Sequence, residues 1–378
     1  MSGPVVSELL VHDDAVRANT AFFADRTGGH LMAVLKADAF GHGDVARSVV
    51  EAGARSIGVT SIAEALAVRA DGIDVPVLSW LNPVDADFAA AVGADVDLAV
   101  GDPALLAAVA RAARSIGRRA RVHLHVDVGM ARDGCPPDDW AALCALAREF
   151  EGVGDVRVVG VMGHLSSADR PGDPQNTRER LVFAAALRTA RRRALTPAVA
   201  HLAATAGTLT GVGSGYGLHR IGAGLFGIDP SGTTTLRPAL TLRTRVVAAR
   251  RVRAGTGVGY GHAFRTTRTT NLALLPLGYG DGLPRAASGR AEVQLAGRRR
   301  PVVGRFSMDM LVVDTGDDAV ADGSVATVFG PGQDGEPTVA DWAGWASTIP
   351  HEIVTTIGSR VARVHRTAGP ATDAGGTP

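Results

Sequence analysis

The alternation of short apolar runs with longer helical stretches constrains the fold of this chain more than any other feature. Between residues 30 and 227, eight β-like runs are separated by stretches rich in Ala, Arg and Leu. Regular alternation of this kind predicts parallel βαβ units, and eight such units are the number that closes a (β/α)8 barrel. The predicted strands are 31–35, 56–60, 75–80, 97–100, 121–127, 157–164, 198–202 and 221–226.

The pattern changes after Pro230, where short alternating runs rich in Val, Thr, Gly and Arg replace the helical stretches. Helical periodicity in this part is confined to about residues 338–346. We therefore predict an α/β fold in which a (β/α)8 TIM-type barrel is followed by a mainly β C-terminal domain. The predicted boundaries are 1–232 for the barrel, 233–367 for the β domain and 368–378 for a disordered tail.

The composition favours a protein that acts on a small molecule in a reducing compartment. The 378 residues carry a net charge of +1, which gives no reason to expect nucleic acid or an acidic membrane as a partner. Cys135 and Cys144 have neither metal-ligand spacing nor a disulfide framework, and the sequence predicts no bound metal. Since residues 1–11 lack the pattern of a signal peptide and no run is long enough to span a membrane, we expect a cytoplasmic protein.

Lys36 is the sole lysine of the chain, because every other basic residue among the 39 Lys and Arg is arginine. Arginine satisfies a need for positive charge, but only a primary amine with a tunable pKa can condense with an aldehyde. Lys36 follows the apolar run 31–35 and precedes a glycine-containing turn, which is a poor setting for a lysine kept by chance on the surface. The sequence therefore predicts that Lys36 forms a Schiff base.

The three tyrosines, Tyr216, Tyr260 and Tyr279, each lie between two glycines. Glycine weakens strands and permits unusual backbone angles, so these positions are unsuited to the core of a strand. For Tyr260 and Tyr279 we favour a hydroxyl presented to a cleft over packing within a turn, whereas Tyr216 is assigned to a connecting loop.

Residues 33–43, AVLKADAFGHG, closely resemble the lysine motif of the alanine racemase family, which depends on pyridoxal 5'-phosphate. The similarity extends from about residue 29 to about residue 365 in the family's order. The resemblance implies a pyridoxal-phosphate barrel with a C-terminal β domain, working as a head-to-tail homodimer on an amino acid. The other matching segments are HVDVGMAR at 125–132, His164, 201–208, HRIG at 219–222, VGYG at 258–261, GYGDG at 278–282, GRFSMD at 304–309 and 349–364.

Racemisation requires a proton to leave one face of the α-carbon and another to reach the opposite face, so two acid–base groups are expected. The resemblance implies that these groups are Lys36 and Tyr260, with Tyr260 supplied by the other subunit. A phenol has an ordinary pKa of about 10 and therefore needs cationic neighbours to act as a base. His164, Arg132 and Arg220 are the candidates for this charge.

The resemblance also implies how the cofactor and the substrate are held. Arg220 would hydrogen-bond the pyridine nitrogen without giving up its proton, since its pKa exceeds about 12. His201 would orient the ring, although a satisfied histidine at a strand end is the alternative interpretation. The implied substrate contacts are Arg132, Tyr279, Met308 and His351. The implied cofactor contacts are Lys36, Phe40, His164, His201, Arg220 and His351, together with Thr205, Gly222 and Ala223, which would cradle the phosphate.

Four positions depart from the family pattern. Phe40 replaces a tyrosine that contacts the phosphate, and Ala204 stands where asparagine is common. His125 stands where many relatives carry a carbamylated lysine that steadies the arginine corresponding to Arg132. His351 replaces a tyrosine that contacts the phosphate and walls the substrate pocket. Two interpretations of His351 stay open. In the first, it admits a polar substrate such as serine or an O-substituted serine. In the second, it supplies the phosphate hydrogen bond that Phe40 cannot make, and alanine stays the preferred substrate.

The leading hypothesis is thus an isomerase of the amino-acid racemase type. One alternative is another reaction of the same cofactor, such as retro-aldol cleavage or decarboxylation. Related aldolases use a bound metal, for which the sequence offers no clear ligand cluster, and related decarboxylases place a carboxylate, not an arginine such as Arg220, at the pyridine nitrogen. A second alternative is a non-catalytic pyridoxal-phosphate carrier, but such carriers consist of the barrel alone.

Overall fold

A computed structural model of the chain describes residues 6–366, so the predicted tail at 368–378 lies outside the described residues. The chain divides into two compact units. We refer to the unit made of Arg17–Ala39 and Asp44–Leu236 as the barrel unit. The other, the sheet unit, comprises the described parts of Met1–Val16 and Arg237–Pro378 together with Phe40–Gly43.

The first strand, β1 (Ser7–His12), belongs to the sheet unit, and eight parallel strands form the sheet of the barrel unit. The eight are β2 (Leu31–Val34), β3 (Ser56–Val59), β4 (Val77–Ser79), β5 (Val96–Val100), β6 (Ala120–His125), β7 (Val156–Met162), β8 (Val199–His201) and β9 (His219–Ile221). Each lies beside its predecessor in the chain from β2 to β8, and β2 also pairs with β9. The N–H of Arg220 in β9 donates to the carbonyl of Ala203, just after β8, at 3.1 Å. The predicted (β/α)8 barrel is confirmed.

The last barrel strand begins earlier in the chain than the sequence predicts. The predicted strand covers 221–226, whereas β9 ends at Ile221 and Ala223–Phe226 form a 3-10 helix. The backbone leaves the strand conformation at Gly222, which has a φ of −115° and a ψ of −83°. Arg220 therefore lies within a barrel strand and not before it.

The helices of this part of the chain carry capping residues at several N-termini. The carboxylate of Asp102 accepts hydrogen bonds from the N–H groups of Ala104 and Leu105, at 2.7 and 3.0 Å. No helix within residues 6–366 is both long enough and apolar enough to cross a membrane. The helices are α1 (Asp13–Arg26), α2 (Lys36–Gly41), α3 (Ala46–Glu51), α4 (Ile62–Ala70), α5 (Phe88–Gly93), α6 (Pro103–Ser115), α7 (Trp140–Gly152), α8 (Pro174–Arg192) and α9 (Thr205–Thr210).

The sheet unit is built on a sheet of nine strands, which confirms the predicted mainly β domain. Its members after β1 are β10 (Leu240–Arg245), β11 (Ala248–Val252), β14 (Thr270–Leu275), β15 (Glu292–Leu295), β16 (Arg298–Val303), β17 (Leu311–Gly316), β18 (Val325–Phe329) and β19 (Ala362–Arg366). A separate hairpin joins β12 (Gly257–Val258) to β13 (Phe264–Arg265). The helices are α10 (Val339–Ala346) and α11 (Pro350–Thr356), with 3-10 turns at Tyr260–His262, Tyr279–Asp281 and Arg285–Ala287.

Strand β1 pairs antiparallel with β10 and parallel with β19. The sequence-based assignment of residues 1–232 to the barrel does not include this pairing. The sequence does not reveal the pairing because the hydrogen-bonding partners of β1 lie far along the chain, where local patterns give no signal for them. The other predicted boundaries, after residues 232 and 367, stay predictions.

The barrel interior contains two kinds of buried side chain. An apolar cluster is formed by Met32, Leu78, Ala99 and Met162, which come from β2, β4, β5 and β7. Polar side chains are buried as well. Because buried polar groups require hydrogen-bond partners, these side chains mark a part of the interior that is organised by hydrogen bonds and not by apolar packing alone. Among these side chains are Asp97, His123, His201 and Arg220.

We expect Gly160→Ala to destabilise the barrel, because a Cβ at this position of β7 would lie 2.1 Å from Nδ1 of the buried His123. Overpacking of this kind costs about 1–3 kcal/mol of unfolding free energy. Thermal and denaturant unfolding would measure the loss. Gly152→Ala is the matched control, since a Cβ there meets nothing within 4 Å. Equal stability of the two variants would contradict the close packing of His123 on β7.

Candidate active site

Lys36 lies two residues after the end of β2, at the carboxyl end of the barrel strands, where barrels of this kind carry their functional side chains. Its side chain is exposed, yet protein atoms around it desolvate the ammonium and lower its pKa. Burial makes the largest contribution, the positive charge of Arg132 adds to it, and the carboxylate of Glu64 opposes both. A lowered pKa increases the fraction of neutral amine, which is the form that attacks an aldehyde or accepts a proton.

The four residues that follow Lys36 adopt a left-handed backbone. Ala37, Asp38, Ala39 and Phe40 have φ angles between 50° and 56°. L-residues adopt this conformation in succession at a cost of about 1–2 kcal/mol each. The N–H of Ala37 donates to Oε1 of Glu64 at 2.8 Å, and the N–H of Ala39 donates to the carbonyl of Leu35 at 2.9 Å. A strained turn held by its surroundings is a feature of functional sites.

The guanidinium of Arg220 is buried, with 4% of the residue exposed, and it ties together the ends of β7, β8 and β9. Its Nη1 donates to the carbonyl of His201 at 3.0 Å and to Nδ1 of the same residue at 2.8 Å. Its Nη2 donates to the carbonyls of Gly163 and Leu202, at 2.7 and 3.1 Å, and to Nδ1 of His164 at 3.3 Å. Within residues 6–366 no acceptor is found for its Nε–H, which leaves one donor of a rigidly oriented guanidinium.

Burial, followed by the charge of Arg220, favours the neutral form of the neighbouring histidines. Burial, followed by the charge of Arg132, lowers the pKa of Arg220 to about 10, so the guanidinium stays protonated at neutral pH. Burial and the charges of Arg220, Arg132 and Lys36 lower the pKa of His164 to about 3. The pKa of His201 is also lowered, by burial and by Arg220. These shifts favour neutral imidazoles, so Arg132 and Arg220 are the stronger candidates for the positive charge beside a phenol, and the role of His164 stays a prediction.

A chain of hydrogen bonds runs from Arg220 through two imidazoles to a carboxylate. Because Arg220 donates to Nδ1 of His201, the proton of His201 is assigned to Nε2, which donates to Nδ1 of His123 at 2.9 Å. Nε2 of His123 then donates to Asp97 at 3.4 Å, and Nε of Arg121 donates to the same carboxylate at 2.6 Å. Burial by itself would raise the pKa of Asp97, but these two hydrogen bonds lower it. The chain of bonds fixes one tautomer for each imidazole.

The loop after β6 presents Arg132, and Asp127 shapes its backbone. Oδ1 of Asp127 accepts hydrogen bonds from the N–H groups of Gly129 and Met130, at 2.9 and 3.0 Å. Oδ2 accepts a third from Ala131 at 3.0 Å, which stabilises the left-handed φ of 55° at Ala131. The backbone directly before Arg132 is therefore held by one carboxylate.

His125, at the end of β6, contacts the same loop. Its Nδ1 lies 3.3 Å from the carboxylate of Asp133, and this hydrogen bond lowers the pKa of Asp133. Gly134 packs so closely that a Cβ would lie 2.7 Å from the backbone nitrogen of Asp127. Within residues 6–366, no group of three or more His, Cys, Asp and Glu side chains is arranged to hold a metal ion.

The predicted phosphate cradle lies after β8 and β9, the seventh and eighth strands of the barrel. The hydroxyl of Thr205, at the start of α9, accepts a hydrogen bond from the N–H of Gly224 at 3.3 Å. This bond joins the beginning of α9 to the 3-10 helix that starts at Ala223, after Gly222. A Cβ at Gly224 would lie 2.5 Å from the ring of Phe23, so a side chain is excluded there. Helix N-termini offer unpaired N–H groups, and barrels frequently bind phosphate after these two strands.

The other predicted residues lie in the sheet unit. Tyr260, Met308 and Tyr279 are 68%, 54% and 40% exposed. The N–H of Tyr279 donates to the carbonyl of Ser307 at 3.1 Å, and the N–H of Gly280 donates to that of Met308 at 2.8 Å, so the turns that carry Tyr279 and Met308 are joined.

Phe40 and His351 are neighbours within the sheet unit. Their ring centroids lie 6.1 Å apart, with an angle of 49° between the planes. Phe40 is buried and His351 is half-buried at the start of α11. A Cβ on Gly41 would lie 2.4 Å from the carbonyl oxygen of Val354 in α11, which fixes the approach of this segment to the helix. Two departures from the family pattern thus share one location.

Sequence reasoning missed several residues that organise the site. His123 and Asp97 belong to the hydrogen-bond chain behind Arg220, and no local pattern identifies them. Glu64 accepts the N–H next to Lys36, although Ser61 and Glu64 have the spacing of a capping box that a sequence search can find. Asp127 stands inside the segment 125–132 that matches the family.

Family models match nearly the whole described chain. The alanine racemase N-terminal domain matches residues 11–230, and the alanine racemase C-terminal domain matches residues 239–365.

Curated relatives match over similar lengths. An alanine racemase from Thermobifida fusca is 45% identical over 365 residues, which cover 95% of this chain and 98% of that protein. An alanine racemase from Frankia casuarinae is 45% identical over 359 residues, which cover 93% of this chain and 94% of that protein.

Solved structures agree in fold. Alanine racemase from D-cycloserine-producing Streptomyces lavendulae superposes with a TM-score of 0.94 at 40% identity, covering 97% of this chain and 98% of that chain. Alanine racemase from Bartonella henselae, described with covalently bound pyridoxal phosphate, superposes with a TM-score of 0.87 at 25% identity and covers 96% of this chain and all of that chain. The barrel with its unique lysine and buried arginine, and the sheet unit with its exposed tyrosines, thus belong to the alanine racemase family of pyridoxal-phosphate-dependent isomerases.

Proposed function

We propose that this enzyme racemises alanine, with Lys36 and Tyr260 as its two acid–base groups, in a homodimer with shared active sites. The observation that carries the proposal is the sole lysine of the chain, with a lowered pKa, at the carboxyl end of a barrel strand. Alanine is the substrate named for relatives that are 45% identical over nearly the whole chain. We also place the enzyme in the cytoplasm, in keeping with two buried cysteines that are not paired in a disulfide.

The donor set of the barrel unit fits pyridoxal phosphate. The Nε–H of Arg220 would meet the pyridine nitrogen, and since Arg220 keeps its proton that nitrogen would stay unprotonated. Thr205 and the N–H groups at the start of the 3-10 helix would hold the phosphate. When bound, the cofactor withdraws electrons from the substrate α-carbon and makes its C–H bond more acidic.

Lys36 would move the proton on one face of the α-carbon. Partial burial of the ammonium and the positive charge of Arg132 both favour the neutral amine. An amine whose pKa is lowered towards the working pH both accepts and returns a proton efficiently. Arg132, on a loop held by Asp127, would offer its guanidinium to the substrate carboxylate.

Tyr260 would move the proton on the opposite face, and we propose that it is supplied by the partner subunit. It is 68% exposed on a tight turn beside Arg305, and a Cβ on the following Gly261 would lie 3.4 Å from the guanidinium of Arg305. Since His164 is neutral, Arg132 and Arg220 are the cations of the barrel unit that remain to lower the pKa of the phenol. Tyr279 and Met308, also exposed, would complete the substrate pocket.

Other reactions of the same cofactor fit the site less well. A buried arginine, where related decarboxylases have a carboxylate, would leave the pyridine nitrogen unprotonated and would thereby weaken the electron withdrawal that those reactions require. The sheet unit with its exposed Tyr260 distinguishes this chain from carriers that consist of a barrel alone. The predicted retro-aldol and decarboxylase alternatives are therefore not favoured.

We expect Lys36→Ala to abolish covalent attachment of the cofactor and racemisation. Borohydride treatment of the unchanged enzyme should fix the cofactor to the peptide that carries Lys36, which mass spectrometry would identify. No other lysine exists to substitute for it. Covalent fixation in Lys36→Ala would refute the assignment.

We expect Tyr260→Phe to lower kcat by about 10²–10⁴-fold, the contribution of a positioned acid–base group, while the spectrum of the bound cofactor stays unchanged. Tyr216→Phe is the control, because Tyr216 packs against Phe183 in the barrel unit, with ring centroids 4.8 Å apart. Mixing inactive Lys36→Ala and Tyr260→Phe proteins should restore part of the activity, since some hybrid dimers carry one complete site. The absence of recovery after verified subunit exchange would show that both groups come from one chain.

We expect kcat/KM for alanine to exceed that for serine and O-substituted serines, because His351 lies beside Phe40 and would supply the phosphate hydrogen bond that a phenylalanine ring cannot make. His351→Tyr should change the affinity for the cofactor without changing the order of substrates. A higher kcat/KM for a serine analogue, reversed by His351→Tyr, would favour the polar-substrate interpretation, since a pocket that hydrogen-bonds its substrate rejects apolar analogues strongly.

A further inference from the structure

The carboxylate of Glu64 holds backbone groups from two separate segments of the barrel unit. Its Oε2 accepts hydrogen bonds from the N–H groups of Thr60 and Ser61, at 2.8 and 3.1 Å. Its Oε1 accepts the N–H of Ala37 at 2.8 Å. The bond from Ser61 belongs to the capping box of α4, in which the hydroxyl of Ser61 accepts the N–H of Glu64 at 3.2 Å, and the bond from Thr60 holds the residue before the cap. The bond to Ala37 has no part in capping that helix.

The backbone at Ala37 constrains the orientation of Lys36. It follows Lys36 directly and begins the left-handed run, with a φ of 55°. The peptide plane between Lys36 and Ala37 carries the N–H that Glu64 binds, so this bond fixes the rotation of the backbone at the Cα of Lys36. Further along the turn, the N–H of Ala39 donates to the carbonyl of Leu35 at 2.9 Å. Glu64 is therefore the side chain that anchors the start of a strained turn.

The charge of Glu64 acts on the same amine. Burial and the positive charge of Arg132 lower the pKa of Lys36, and the carboxylate of Glu64 raises it. His164 also faces this region, but it is neutral because its own pKa is lowered to about 3. Glu64 is thus the negative charge that limits how far the pKa of Lys36 falls.

We propose that Glu64 is a positioning residue for Lys36, which holds the backbone that orients the amine. The inference rests on the proposed function, in which Lys36 binds the cofactor and transfers a proton. A proton-transferring group must be placed closely, because a misplacement of about 1 Å can lower a rate about a hundredfold. The competing explanation is that Glu64 serves only to cap α4.

Three variants separate these explanations. Glu64→Gln keeps one oxygen for the capping box, in which glutamine is also common, but it turns an NH2 group towards the N–H of Ala37 and removes the charge. Glu64→Asp keeps the charge and withdraws the carboxylate from Ala37. Ser61→Ala removes the hydroxyl that caps α4 and leaves the bond between Glu64 and Ala37 in place.

The first measurement is the titration of Lys36 in the full-length, cofactor-free chain. The rate of amine acetylation would be followed against pH and localised by mass spectrometry, and the sole lysine makes the signal unambiguous. We expect the midpoint to lie at lower pH in Glu64→Gln than in the unchanged protein, since removal of a nearby negative charge disfavours the ammonium. Ser61→Ala and Glu64→Asp should titrate close to the unchanged protein.

The second measurement is racemisation by the holoenzymes. We expect kcat to fall about ten- to a hundredfold in Glu64→Gln and Glu64→Asp, with a smaller change in KM, whereas Ser61→Ala should lose thermal stability and keep kcat within about threefold.

A Glu64→Gln protein with an unchanged Lys36 midpoint and a kcat within about threefold of the unchanged protein would show that Glu64 serves only as a helix cap. If Glu64→Gln does not fold, a kcat close to that of the unchanged protein in Glu64→Asp would overturn the proposal. Racemisation that survives Lys36→Ala would instead overturn the proposed function, whereas the titration tests Glu64 alone.

Discussion

The barrel half of the site depends on one buried guanidinium. The acceptors of Nη1 and Nη2 of Arg220 are carbonyl oxygens and imidazole nitrogens, all of them uncharged. Burial, followed by the positive charge of Arg220, which has no directly bonded anion, lowers the pKa of His164 and of His201 and favours their neutral forms. It also ties β9 to the residues that follow β7 and β8, so the chemistry and the closure of the barrel use the same side chain.

The hydrogen-bond chain behind Arg220 gives this guanidinium its direction. His201 accepts from Arg220 on one nitrogen and donates to His123 on the other, and His123 donates to Asp97. Each imidazole can satisfy both neighbours only as one neutral tautomer, and protonation of either would oppose a donor to a donor. Asp97, stabilised as an anion by Arg121, therefore orients Arg220 from a distance without neutralising it locally.

Much of the fold and part of the site follow from sequence alone, because both are recorded in local patterns. Strand–helix alternation fixes the barrel, and Lys36 stands out because no other lysine exists. The partners of β1 were not predictable, since antiparallel pairing with β10 leaves no trace in residues 7–12. The lowered pKa of His164 was also out of reach, because it depends on burial and on the cations Arg220, Arg132 and Lys36, which only the fold brings together. Glu64 shows the intermediate case, in which the capping pattern is visible and its second partner is not.

The resemblance to the family implies that many relatives carry a modified lysine at the position of His125. In this chain, the loop that carries Arg132 is held without one. Asp127 fixes three consecutive N–H groups of the loop, and Gly134 brings its far end against the backbone of Asp127. His125 bonds to Asp133, which is kept anionic by that contact. A carbamate would supply one negative group beside the loop, and Asp133 supplies one from within it. The loop that presents Arg132 is thus held by Asp127 and by the hydrogen bond between His125 and Asp133, all of them unmodified groups of this chain.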